Sequence, residues 1–176
     1  MSFPRKVFVG TVAAAVGTVL LDVVTYADMA VRGRPPSAVP GTMVKNLAEY
    51  LGLEELAADD ETAANRRSGI AALLGYANGL AVGAIYCALD PVLGKLPLTI
   101  RALLAGGAAM AAADVLAAKS GATDPKTWGT AGWLSDIVPH VVFGYAVACT
   151  FDALDDEVRG SQRDRHPLGG PEQAAK

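Results

Sequence analysis

The chain has 176 residues, enough for one domain. It is 52% hydrophobic and 19% charged, with a mean hydropathy of +0.31, which is more apolar than an ordinary soluble domain. A net charge of −3 and an isoelectric point near 5.3 speak against a nucleic-acid binder, which would carry a basic face.

The first apolar run covers residues 7–27, behind Arg5 and Lys6. It is too long for the apolar core of a signal peptide and contains Asp22, so it reads as a retained span. Asp28 and Arg32 follow one helical turn apart and are expected to pair where the helix leaves the bilayer. Gly33-Arg34-Pro35-Pro36-Ser37 then stops the helix, because proline lacks an N–H and pushes the preceding residue out of helical geometry.

Residues 42–56 predict a short amphipathic helix, with Met43, Leu47, Tyr50 and Leu51 on one face and a Lys45–Glu49 pair on the other. Asp59-Asp60-Glu61-Thr62 carries helix-start signals. A second span is expected over 69–89. Gly75, Gly79 and Gly83 recur every four residues there and make a smooth row for close backbone approach. Asn78 is its one strongly polar side chain and reads as interhelical glue. Asp90-Pro91 is expected to end the span.

The third span, 98–118, is built on Ala and Gly around Gly106-Gly107 and holds Asp114. Arg101, near its start, is expected to reach back to the interface. Asp124-Pro125 has the form of an N-cap followed by a first-turn proline. Trp128 and Trp133 suit a membrane–water boundary. The fourth span, 137–154, has Pro139 in its first turn. Asp136, His140, Gly144, Ala148 and Asp152 form one i, i+4 row along it. Cys87 and Cys149 lie inside apolar runs, give no disulfide framework or metal spacing, and read as small buried residues. The stretch 159–176, which holds His166, Pro167 and Pro171, reads as a disordered polar tail, and His166 receives no role.

The expected fold is all-α: a four-helix transmembrane bundle in a single domain over 1–158, with the amphipathic helix in its first loop. Gly79 to Asp90 (GLAVGAIYCALD) matches Gly144 to Asp155 (GYAVACTFDALD) at an offset of 65, and the first and third spans align more weakly with Asp22 on Asp114. These matches predict two pseudo-repeated helical hairpins related by an axis along the membrane normal. Arg32-Gly33-Arg34-Pro35-Pro36-Ser37, Asp124-Pro125-Lys126-Thr127-Trp128 and Asp136-Ile137-Val138-Pro139-His140 together resemble small, uncharacterised four-span membrane proteins of high-GC bacteria. That resemblance implies an inner-membrane location and an architecture, and no activity.

Three functional readings follow. Charged groups inside a span cost about 2.5–3.5 kcal/mol each on insertion scales and mark polar paths. Asp22, Asn78, Asp114, Asp136, His140 and Asp152 are therefore candidates for a proton, cation or small-solute pathway, or for a coupling subunit; the competing view places these acids at helix ends. A structural or assembly protein would instead use Gly75, Gly79, Gly83, Gly106 and Gly144 for packing, against a homo-oligomer partner or another membrane protein. An enzyme ranks last: no catalytic residues stand out, no Gly-Asp context surrounds Asp22 or Asp114, and one helical histidine is too little for a metal site. The lipid bilayer is the expected partner and no cofactor is indicated. Lysine and arginine number eight on the side of the termini and seven on the other, which leans the termini toward the cytoplasm.

Overall fold

A computed structural model describes residues 3–165, and among the described residues it is all-helical. The order is α1 (Phe3–Arg32), α2 (Val39–Tyr50), α3 (Glu54–Ala57), α4 (Glu61–Leu93), α5 (Leu98–Lys119), a 3₁₀ turn (Pro125–Thr127) and α6 (Gly129–Arg165). Four of these helices, α1, α4, α5 and α6, are long and apolar enough to cross a membrane.

The helices run beyond the expected spans for local reasons. Asp60 caps α4, its carboxylate accepting the Ala63 N–H at 2.8 Å, so the polar turns Glu61–Ser68 become helix ahead of the apolar run. Pro91 does not end α4, which continues to Leu93. A proline within the last turn costs only the one bond its nitrogen would have donated. In α6 the start at Gly129 puts Pro139 in the helix interior and not in the first turn. Its missing N–H leaves the Ser135 carbonyl without a helical donor. At its far end, α6 extends to Arg165, into the stretch expected as a disordered tail; residues 166–176, with His166, lie outside the described residues.

α1, α4, α5 and α6 form a ring in that order, each antiparallel to the next. The α1–α6, α5–α6 and α1–α4 sides are extensive, and the α4–α5 side is the loosest. Small residues set these contacts. A Cβ on Gly10 would lie 2.5 Å from the Gly83 carbonyl oxygen, and one on Gly83 would collide with Ala14 and the Gly10 carbonyl. On the opposite seam, a Cβ on Gly144 would meet the Ala102 carbonyl, and one on Gly106 the His140 carbonyl. Gly79 faces Thr18 in the same manner, whereas Gly75 and Gly107 face open space. The row on α4 is thus two glycines deep against α1, not three.

The core is filled by Phe143, Val147 and Phe151 of α6 with Ala13, Ala14, Ala102, Ala105 and Ala109. Cys87 is buried there, but Cys149 is exposed, on the outer side of α6. α2 lies across α4 and the end of α5 through Met43, Val44 and Ala48, packed with Ala117, Ile70 and Ala71. Of the expected face only Met43 is buried; Leu47, Tyr50 and Leu51 are exposed. The helix is rotated from the expected orientation, because Asn46 reaches the Ser120 carbonyl at 2.8 Å and Lys45 turns to Asp59. That ammonium holds the Asp59 carboxyl below the usual carboxylate range.

Candidate functional site

Two polar clusters sit at opposite ends of the α5–α6 seam. At the end where α5 begins, Arg101 is only 9% exposed and turns inward. Its Nη1 and Nη2 donate to Asp152 Oδ1 and Oδ2 at 2.7 and 2.6 Å, and Nη1 also lies 3.3 Å from the Tyr86 hydroxyl. Arg101 therefore does not extend to the interface as expected. A bidentate carboxylate satisfies the guanidinium with two charge-assisted bonds. Lys6 pairs with Asp90 at 2.7 Å between α1 and α4, so each long hairpin has a cross-helix ion pair at this end.

The other cluster joins Asp114 of α5 with Asp136 and His140 of α6. His140 Nδ1 lies 2.8 Å from the Asp136 carbonyl oxygen and 3.3 Å from Asp136 Oδ1. The carbonyl can only accept, so Nδ1 carries the proton and Nε2 is the nitrogen left to exchange one. The Asp114 carboxyl lies within hydrogen-bonding reach of that of Asp136. Asp136 Oδ2 is buried and accepts no hydrogen bond from the described residues. Two carboxyls in contact with an acceptor oxygen unsatisfied form an arrangement completed by one added proton, donated from Asp114 to Asp136. Asp136 and His140 are largely but not fully buried. Pro139 is buried between them.

No protein-family model, curated protein or solved structure matches the chain.

The remaining predicted residues fall outside this cluster. Asp152 shares its row with His140 but lies about 18 Å away along the helix. Phe143, Val147 and Phe151, all within 1% of complete burial, fill the core between them. The row is therefore interrupted, and Asp152 acts as a counter-ion to Arg101. Asp22 accepts from the Tyr76 hydroxyl at 3.3 Å on the α1–α4 side; it does not meet Asp114, because α1 and α5 are diagonal in the ring. Asn78 donates to the Ala109 carbonyl at 2.9 Å and ties α4 to α5. Among the described residues no group of three His, Cys, Asp or Glu side chains has the geometry to hold a metal ion.

Sequence reasoning missed Arg101, Tyr86 and Tyr76 as partners. The available signal was charge balance by depth: Arg101 opens α5 while Asp152 nears the end of the apolar part of α6, and antiparallel helices bring those positions to one level. Near the start of α6, Ser135 joins a further cluster, with Arg32 and Arg34 both on Asp28.

Proposed function

We propose that the chain is a multi-pass protein of a bacterial inner membrane and that Asp114, Asp136 and His140 form a proton-binding site near one end of its bundle, serving a coupling subunit. The observation that carries this reading is the contact of three titratable side chains on two helices, with one buried carboxylate oxygen lacking a donor. Groups of this type inside a span are conspicuous because they are costly there. The packed core between His140 and Asp152 favours proton uptake and release at one end over an open pore.

The same reading includes a duplicated hairpin. Gly10 and Ala14 stand against Gly83 as Ala102 and Gly106 stand against Gly144. Positions 10 and 14 map onto 102 and 106 at the offset that places Asp22 on Asp114. On the second helix of each pair, Gly144 and not Ala148 takes the place of Gly83, one turn from the sequence match. The acids have comparable surroundings: each reaches the other long helix of its hairpin, Asp22 to Tyr76 near the middle of α4 and Asp114 to Asp136 near the start of α6. One half thus keeps a neutral phenol where the other holds an acid and an imidazole.

The test is histidine titration by NMR in micelles. His140 in the parent is compared with Asp136→Asn and Asp114→Asn. The midpoint moves in both variants if the three groups share protons. An unchanged His140 titration in both would reduce the cluster to a packing arrangement.

A further inference from the structure

The seam opposite the proton-binding cluster carries an acid that faces outward. Asp22 on α1 is half-buried, and its one hydrogen-bond partner among the described residues, Tyr76 on α4, is 47% exposed. Tyr26 stands one turn beyond Asp22 on the same face of α1, beside Tyr76, and is 61% exposed. Around these three polar groups, Val19, Val23 and Leu73 are each more than half exposed. The patch is therefore an apolar surface with a carboxylate and two phenols at its centre.

Depth makes the arrangement informative. Arg32 and Arg34 pair with Asp28 at the end of α1. Asp22 is six residues further in, or about 9 Å along the axis. With that ion-pair cluster at the boundary, Asp22 lies well inside the hydrocarbon. A carboxylate is too short to reach water from there, and acids within spans normally face protein or a wet cavity. One long phenolic bond, shared with a half-exposed tyrosine, does not satisfy a carboxylate able to accept about four hydrogen bonds.

We propose that this α1–α4 face is the interface between two copies of the chain, related by a two-fold axis along the membrane normal. Such an axis puts the same patch of each copy at the same depth, as an isologous contact requires. The patch is then self-complementary: Asp22 of each copy needs donors, and Tyr26 of the other supplies a hydroxyl, the Tyr76 proton being already given to Asp22 of its own chain. Val19, Val23 and Leu73 surround the polar centre and exclude lipid. The inference rests on the membrane reading but not on the proton-binding cluster, which lies across the bundle.

The test uses the full chain in native membranes. Val23→Cys is made in a Cys149→Ser background, leaving the buried Cys87, and oxidised with copper phenanthroline. A disulfide-linked product of twice the monomer mass is expected. Val115→Cys, equally exposed but on α5, is expected to give none. Adding Tyr26→Phe or Asp22→Leu lowers the yield at limiting expression by about a hundredfold, because the two-fold axis repeats in both copies the roughly tenfold loss of one charge-assisted hydrogen bond. Tyr26 is so exposed that its hydroxyl has no part in folding the monomer, which covers the case of an Asp22→Leu variant that fails to fold. The proposal is overturned by no product from Val23→Cys, by equal product from Val115→Cys, by a product of another mass, or by a yield indifferent to Tyr26→Phe. An alkaline wash of the same membranes separates the failures. Protein released by the wash defeats the membrane reading and this proposal together; protein retained without crosslinking defeats this proposal alone.

Discussion

Arg101 and Asp152 meet with both prongs aligned, at 2.7 and 2.6 Å, across the α5–α6 seam, and the burial of the two partners is unequal. The Arg101 side chain is 11% exposed and that of Asp152 41%. A buried cation stranded without its partner is the costlier loss, on the order of 3–5 kcal/mol, whereas a half-exposed carboxylate can turn to water. Asp152→Leu is thus expected to destabilise the protein more than Arg101→Met, and the double variant to recover part of the loss. Thermal melts in detergent, arranged as a double-mutant cycle, measure this order. Equal effects of the two single changes would mean that the guanidinium is hydrated.

The glycine contacts predict a graded series. Alanine at Gly83 or Gly144 pushes a methyl group into opposing helix backbone, which cannot move without separating the hairpin; the cost is roughly 1–3 kcal/mol or more. Alanine at Gly75 or Gly107 meets nothing and gains helix propensity, so these variants should melt at or above the parent temperature. The same melts test it, and the order would be reversed if the hairpin pairs were wrongly registered.

Much of the architecture was legible because it depends on composition over long windows. Four long apolar runs, the Asp60 start of α4 and the Asp124-Pro125 turn each follow from local chemistry. What could not be read was rotation about a helix axis. Gly75 and Gly79 are one turn apart and equally small, yet only Gly79 meets another helix. The α2 face differs from expectation for a related reason: Leu47 is as apolar as Val44, and the tethers at Asn46 and Lys45, not hydrophobicity, set which side docks. In the candidate site, Asp136 and His140 share a helix face and were found together, while Asp114 required knowing which level of α5 stands beside them.

Lys45 and Asp59 give a pH dependence outside the four long apolar helices. The Asp59 carboxyl lies below its ordinary value because Lys45 donates to it. A group depressed on folding contributes stability above its unfolded value and loses it as the pH falls through the folded one. The docking of α2 should therefore weaken below about pH 4, where carboxylates ordinarily take up protons. Lys45→Met should remove part of that acid sensitivity while changing little at neutral pH. Amide exchange of the α2 backbone across this range reads the effect; identical acid profiles for parent and variant would show the pair to be loose in solution.

Asp114 and Asp136 predict a different behaviour at alkaline pH. Their carboxyls are in contact, Asp136 Oδ2 lacks a donor, and nothing on the described chain other than His140 stands by to neutralise them. When both are charged they repel across the α5–α6 seam, and the repulsion disappears when one is neutral. Asp114→Asn makes one partner permanently neutral and adds an amide N–H that can donate to the Asp136 carboxylate. The variant should therefore melt above the parent at pH 9. On the proton-binding reading the gain shrinks as the pH is lowered, because a proton held between the acids then provides the same contact in the parent. The expected difference at pH 9 is about 1–3 kcal/mol, the cost of leaving a buried polar group unsatisfied. Asp114→Leu, which removes the charge but offers no donor, should recover less. Melting curves of the three proteins at both pH values decide it. A gain of the same size at pH 5 and pH 9 would mean that no proton is exchanged at the pair, and the coupling role assigned to it would fall.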